Sequence, residues 1–331
     1  MVNRDIGFSL WLDFVERDYL KNEFSSLIEK GIINGATSNP SIFASAITTS
    51  PAYKEQLESL EGKSPKEKYE DLAVDDIRTA AQALRSSYDE GNDGYISIEV
   101  DPFLSNDTQG TIEEGKRLFA AIGEPNVMVK VPATEAGYDA MTELLSNGIS
   151  VNATLIFSPK QAQKCLKAMK RGLDDFESSG GGRCEAVISV FVSRFDRLLD
   201  SDLEKEGLDV AKTGIYNAAK IYNIVEANHT PSVRTLFAST GVKGDDLPAD
   251  YYMRELLAPH SVNTAPLATI EAYIATEASA PKLPIDDAVI NGYFTKLSDN
   301  GFDMDEVYKT LLDDGLVAFE KAFQEMLDTL K

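Results

Sequence analysis

The run Val127-Met128-Val129-Lys130-Val131-Pro132 sets a single lysine among five apolar residues. A run this short, rich in valine and closed by proline, reads as a strand buried on both faces, as in a parallel sheet covered by helices. A lysine there cannot easily keep its amine solvated. Burial in a low dielectric disfavours the charged form of an amine and makes a neutral nucleophile available near neutral pH. A Schiff-base enzyme needs such an amine to attack a ketone carbonyl. The competing reading is a strand-end lysine whose stem lies on apolar surface while its head reaches water. The rest of the chain has to choose between them.

Working outward, seven further runs read as strands: Gly7–Leu12, Gly35–Thr37, Tyr95–Val100, Ser150–Phe157, Ala186–Val192, Ser232–Ala238 and a weaker one at Ser261–Thr264. Helical patterns lie between them, among them Ile112–Ile122, Gly137–Leu145, Pro159–Gly172 and Tyr216–Asn228. Ser158-Pro159 supplies an N-cap followed by proline at the first helical position. Thr134-Glu135 opens the helix after the lysine strand and Asn147-Gly148 closes it. Eight strands with intervening helices predict parallel βαβ units, and eight is the number that closes a (β/α)8 TIM barrel of the α/β class. An open, doubly wound sheet is the structural competitor, but no G-x-G-x-x-G follows the first strand and no G-x-x-x-x-G-K-[ST] occurs. Gly180–Gly182, after Ser178-Ser179, reads as a flexible loop. Residues 286–331 are mostly helical, with Val307, Leu311, Leu312, Leu316, Phe319, Phe323 and Met326 at helical spacing; they are expected to pack on the barrel as additional C-terminal helices. Without a linker, repeat or low-complexity tract, residues 1–331 read as one domain.

Composition narrows the chemistry. The chain has 331 residues, 43% hydrophobic and 26% charged, and no uncharged apolar stretch of the ~18 residues that a membrane span needs. The N-terminus lacks a signal-peptide layout, which makes a cytoplasmic location the expectation. Two cysteines, Cys165 and Cys184, do not make a disulfide scaffold. His229 and His260 are the only histidines and neither has a ligand-spaced neighbour, so neither a metal nor a histidine triad is expected. Acid–base work falls to carboxylates, lysine, tyrosine or hydroxyls. A net charge of −22 argues against nucleic acid yet leaves room for small anionic substrates, which need only a few local cations. Monomer and homodimer are both compatible with the sequence.

Functional groups of a (β/α)8 barrel gather where strands end. Here those positions hold Asp13; Thr37 and Asn39; Glu99; Lys130; Asn152 and Thr154; Ser189, Phe191 and Arg194; Ser239 and Lys243. Taken singly, each has an ordinary reading. Asp13 suits a helix N-cap, Asn39 before proline a turn, Glu99 the exposed side of an alternating strand, and Arg194 a solvated charge. Their succession, one strand end after another, favours a site: a lysine nucleophile, two carboxylates and a set of cations. Cleaving a carbon–carbon bond next to an imine requires a carboxylate to take a proton from the neighbouring hydroxyl. Arg194, assisted by Ser239 and Lys243, suits a sugar phosphate because the guanidinium fork matches phosphate oxygens.

The segments GATSNPSIF (35–43), ISIEVDP (96–102), VMVKVPAT (127–134), GISVNATLIFS (148–158), VISVFVSRFD (187–196) and LFASTGVK (236–243) resemble the transaldolase family, in order and across essentially the whole chain. The resemblance implies a (β/α)8 barrel with the Schiff-base lysine on its fourth strand, here Lys130. It implies that Asp13 deprotonates the substrate hydroxyl and that Glu99, with Thr154, holds the water that relays protons around the carbinolamine. Asn39 and Asn152 would bind sugar hydroxyls, with Thr37 and Ser189 lining the site. The implied reaction moves a dihydroxyacetone unit from sedoheptulose 7-phosphate to glyceraldehyde 3-phosphate, giving erythrose 4-phosphate and fructose 6-phosphate, without a cofactor. One departure stands out. Many members place a second phosphate-binding arginine soon after an Ala-Ser pair, whereas this chain reads Ala238-Ser-Thr-Gly-Val-Lys243. It resembles the branch with lysine there, a point charge without a fork.

Two other functions compete. A fructose-6-phosphate aldolase would release dihydroxyacetone, but that related group places tyrosine at the position of Phe191 and lacks the equivalent of Glu99. A catalytically inert acidic scaffold is the other, and it leaves the complete set of reactive groups unexplained.

Overall fold

The computed structural model describes residues 1–244, 246–276 and 280–331. Eight parallel strands, β1 (Phe8–Asp13), β2 (Gly35–Thr37), β3 (Tyr95–Glu99), β4 (Val127–Pro132), β5 (Val151–Ile156), β6 (Ala186–Phe191), β7 (Val233–Ala238) and β8 (Ser261–Ala265), pair in chain order. β8 pairs with β1 and closes the barrel. Every strand expected from the sequence is present, with its ends displaced by at most one residue.

The surrounding helices are α1 (Arg17–Glu29), α2 (Pro40–Thr49), α3 (Lys54–Ser59), α4 (Pro65–Asp89), α5 (Thr108–Ile122), α6 (Glu135–Ser146) and α7 (Pro159–Ser178). They continue with α8 (Ser193–Lys205), α9 (Thr213–Ala227), α10 (Tyr251–Glu255), α11 (Leu267–Ala275), α12 (Asp287–Asp299) and α13 (Met304–Thr329). Local chemistry fixes several starts. Ser158 and Gln161 form a reciprocal capping box around Pro159 at the head of α7. Thr134 accepts from the Gly137 amide at 3.0 Å to cap α6, and Gly148, at φ +73°, follows its C-cap Asn147. Helix ends were less legible than strand ends: α5 begins four residues before the expected Ile112, because its polar first turn is set by the Asp107 cap rather than by apolar spacing.

The largest feature not anticipated is the excursion through α2, α3 and α4 between β2 and β3. The buried face of α4 steps through Tyr69, Leu72, Ala73, Ile77, Ala80, Ala81 and Leu84 at helical spacing, a signal the sequence carried.

Alternation along the strands sorts side chains into two layers. Outward residues such as Leu10, Leu12, Val129, Val131, Ile188 and Val190 pack under the helices. Inward residues Trp11, Tyr95, Met128, Val187, Leu236 and Val262 form an apolar floor inside the barrel. Below it, Arg234 pairs with buried Asp93, which also accepts from the Trp11 indole at 2.9 Å. β5 carries a bulge between Ala153 and Ile156, where Leu155 adopts φ +57°, a conformation that costs a non-glycine residue about 1–2 kcal/mol.

The C-terminal helices pack on the barrel, as their apolar spacing predicts. α13 runs past the C-terminal ends of the strands and is fastened near both its ends. The Tyr308 hydroxyl donates to Asn217 at 3.1 Å and its ring meets Phe195 edge-on, while Phe323 packs against Tyr69 and the Lys68 amine donates to the Leu330 carbonyl at 2.8 Å. No described helix is long and apolar enough to cross a membrane.

Gly35 explains how the floor closes. A Cβ there would lie 2.4 Å from the Trp11 indole nitrogen, and that ring is wholly buried. Gly35→Ala is therefore expected to lower stability by roughly 1–3 kcal/mol through overpacking. An unchanged urea midpoint would show instead that the indole can move aside.

Candidate active site

Above the floor the inward positions turn polar, and the strand register sets them abreast. Glu99 lies opposite Lys130, Lys130 opposite Asn152, Pro132 opposite Thr154, and Asp13 opposite Thr37. They surround a cavity of about 240 Å³ at the C-terminal end of the barrel. Larger open hollows lie beside the first five residues and between α7 and α13, about 850 and 1020 Å³, but neither holds a buried lysine or a buried carboxylate. Eleven of the twelve residues expected from the sequence line the small cavity; Glu99 stands directly behind Lys130.

Lys130 does not reach bulk water. Only 6% exposed, its amine donates to the Ser38 carbonyl at 3.2 Å and lies 3.3 Å from Glu99 Oε2. The snorkelling alternative is thereby removed. Glu99 is equally buried, which removes its alternative reading as the exposed side of a strand. Burial pushes its carboxyl up to about 7, the neighbouring Lys130 charge opposing and Asp13 adding to the rise. Burial also raises Asp13, against the Lys130 charge and a hydrogen bond from Thr37.

Asp13 does not cap a helix; Glu16 holds the head of α1, accepting from the Tyr19 amide at 2.8 Å. Asp13 instead accepts from the Thr37 hydroxyl at 2.6 Å, and Thr37 contacts the Thr264 hydroxyl at 2.7 Å. Since the single Thr37 hydrogen goes to Asp13, Thr264 is the donor to Thr37. Asn39 meets both of its readings: its carbonyl oxygen caps α2 at the Ile42 amide, 3.0 Å away, and the residue lines the cavity. That leaves its amide hydrogens as the donors for a ligand. The Asn152 amide is held from both sides, accepting from Ser189 at 2.6 Å and donating to Ser97 at 3.0 Å. Thr154 Oγ1 and Glu99 Oε2 are buried with no hydrogen-bond partner among the described residues.

A cationic rim lies on the β6 and β7 side. Arg194, near the start of α8, stacks over Phe191 at 5.0 Å, and Phe191 meets Phe157 edge-on. Burial, then the neighbouring Arg197 charge, press the Arg194 guanidinium below its usual range, with Asp314 opposing. Among the described residues neither arginine has a carboxylate within 4.0 Å. Ser239, at φ +55°, contacts the Ser193 hydroxyl at 3.0 Å, and exposed Lys243 completes the rim.

Eight lining residues lie outside the expected set, and three of them bear on the site's chemistry. Thr264, the penultimate residue of β8, has the same inward parity as Val262, a signal that was available. Arg197 follows Arg194 by one helical turn, so the pair could be found once α8 was recognised. Phe319 comes from α13, far along the chain from any strand end, and had only the signature of a packing residue.

The chain resembles known proteins along its full length. The family profile described as transaldolase/fructose-6-phosphate aldolase matches residues 10–330. A transaldolase of Campylobacter jejuni is 47% identical over 334 aligned positions, covering 98% of this chain and 99% of the relative. A transaldolase of Helicobacter pylori is 43% identical over 97% of this chain and 99% of its own length. With its closed eight-stranded barrel and a profile match running from the first strand into the last helix, the chain belongs to the transaldolase/fructose-6-phosphate aldolase family.

Proposed function

We propose that the chain is a transaldolase: a transferase that carries a dihydroxyacetone unit from sedoheptulose 7-phosphate to glyceraldehyde 3-phosphate through an imine on Lys130, with no cofactor. The observation that carries this reading is the Lys130 amine, buried 3.3 Å from the Glu99 carboxylate in a cavity that also holds Asp13. Family membership supports it independently.

The amine attacks the ketone carbon, and the resulting carbinolamine loses water. Glu99, 3.3 Å from the amine, is within reach to take the proton the amine loses on attack and then gives it to the departing hydroxyl. A single water between Glu99 Oε2 and Thr154 Oγ1 would give a hydrogen bond to two buried atoms that accept or donate none among the described residues, and it would relay that proton. Asp13 removes the proton from the hydroxyl on the far side of the bond to be broken. That bond's electron pair passes into the iminium, giving an enamine, and the aldose phosphate leaves as an aldehyde. The acceptor aldehyde reverses these steps and gains the three carbons.

Thr37, itself held by Thr264, keeps Asp13 in one orientation, and Ser189 does the same for Asn152. Asn39 and Asn152 bind sugar hydroxyls. Arg194, Ser239 and Lys243 hold the phosphate, and Arg197 adds the second guanidinium missing after Ala238-Ser239. Two neighbouring arginines without carboxylate partners among the described residues are poised for a dianion. Sugar phosphates are cytoplasmic metabolites, which is where we place the protein.

Release of dihydroxyacetone, as by an aldolase, is the second reading. Phe191 in the cavity wall, where that group has tyrosine, together with Glu99 beside the amine, favours transfer.

Borohydride reduction in the presence of fructose 6-phosphate should add a dihydroxyacetone unit at Lys130, detected by peptide mass. Erythrose 4-phosphate should strongly accelerate consumption of the donor. No adduct at Lys130 would reject the imine, and equal consumption without acceptor would reject transfer. Asp13→Ala should still form the adduct but cleave more slowly by about 10²–10⁴-fold, the usual contribution of a general base; unaltered cleavage would make Asp13 structural. The raised Glu99 acid keeps its proton up to about 7 and loses it above, so kcat/KM should fall as pH rises through that value. Glu99→Gln, which cannot titrate, should lose that limb, and a limb that persists in the variant would assign it to another group.

A further inference from the structure

We propose that Phe319 decides the fate of the covalent intermediate, favouring its transfer to an aldehyde over its release as free dihydroxyacetone. The proposal rests on the reading of Lys130 as the imine-forming residue. The centroid of the Phe319 ring lies 5.9 Å from the Lys130 amine, on the cavity wall supplied by α13. The ring is 7% exposed and packs in the same apolar cluster as Phe191 and Phe157.

Its position is tightly held. One helical turn earlier, Gly315 lets α13 approach the strand ends so closely that an added Cβ would lie 3.0 Å from Leu155 and 3.4 Å from Arg194 Nη1. One turn later, Phe323 locks against Tyr69. The helix that carries the ring is thus fastened on both sides of it.

Such a placement has a chemical consequence. After cleavage, the electron pair of the broken bond resides in the enamine attached to Lys130. In transfer, the enamine carbon gives that pair to the acceptor's aldehyde carbon, and the aldehyde oxygen takes a proton. In release, the same carbon instead takes a proton from water. A water oxygen then adds to the iminium carbon, the carbon–nitrogen bond breaks, and its pair returns to the lysine nitrogen. Both release steps draw on water. A hydrocarbon ring facing the amine neither relays protons nor leaves room for bulk solvent, so on the side covered by α13 water is kept from the imine. The ring face also favours the positive charge of the iminium within about 6 Å. Phe319 thus slows release more than transfer.

The test compares Phe319→Asn, which makes the wall polar, with Phe319→Leu, which keeps it apolar. Each protein is given fructose 6-phosphate alone to measure dihydroxyacetone release, and with erythrose 4-phosphate to measure transfer. The release-to-transfer ratio should rise about tenfold or more in the asparagine variant and less than about threefold in the leucine variant. Because both rates come from the same folded molecules, partial loss of fold cancels in the ratio. A ratio within about twofold of the parent in the asparagine variant, or an equal rise in both variants, would overturn the proposal. Borohydride trapping at Lys130 in all three proteins separates this result from a failure of the imine reading, which would abolish the adduct in the parent as well.

Discussion

An amine at the centre of a barrel needs polar company, and the placing of Glu99 beside Lys130 supplies it. The two lie on neighbouring strands at paired positions, both facing inward. Buried ion pairs contribute little net stability, but removing either partner strands the other in a low dielectric at a cost of about 3–5 kcal/mol. The barrel is therefore committed to keeping both. The apolar floor of Trp11, Tyr95, Met128, Val187, Leu236 and Val262 closes the interior beneath them, and the Asp93–Arg234 pair seals that floor from below.

Much of this was readable from the chain because strand parity is rigid. Asp13, Thr37, Glu99, Lys130, Asn152, Thr154, Ser189 and Phe191 occupy inward positions at strand ends, so identifying the strands also brought the candidate residues together. The valine-rich runs made those strands conspicuous. Helix beginnings were harder, as the polar first turn of α5 illustrates. Contributions from distant segments were hardest. Nothing near Phe319 or Gly315 in the sequence announces a neighbour on β4 or α8; only the path of α13 across the strand ends creates those contacts.

Charge is distributed against the grain of the whole. A chain with a net charge of −22 keeps Arg194, Arg197 and Lys243 at one side of its cavity, and the two arginines lack close carboxylate partners among the described residues. At physiological ionic strength, charges beyond about 8 Å are largely screened, so the acidic exterior does little to cancel that local positive potential. The stack of Arg194 on Phe191 holds one guanidinium in place before any ligand arrives, which limits the ordering cost of binding.

The crossing of α13 over the strand ends also bears on how the molecule comes into being. A ribosome delivers all eight strands before Met304–Thr329 emerges, so a nascent barrel can close while one wall of its reaction chamber is still missing. Lys130 would stand open to solvent until that helix docks. Competence for chemistry thus arrives as a late step of assembly, after the sheet that carries the reactive groups is complete.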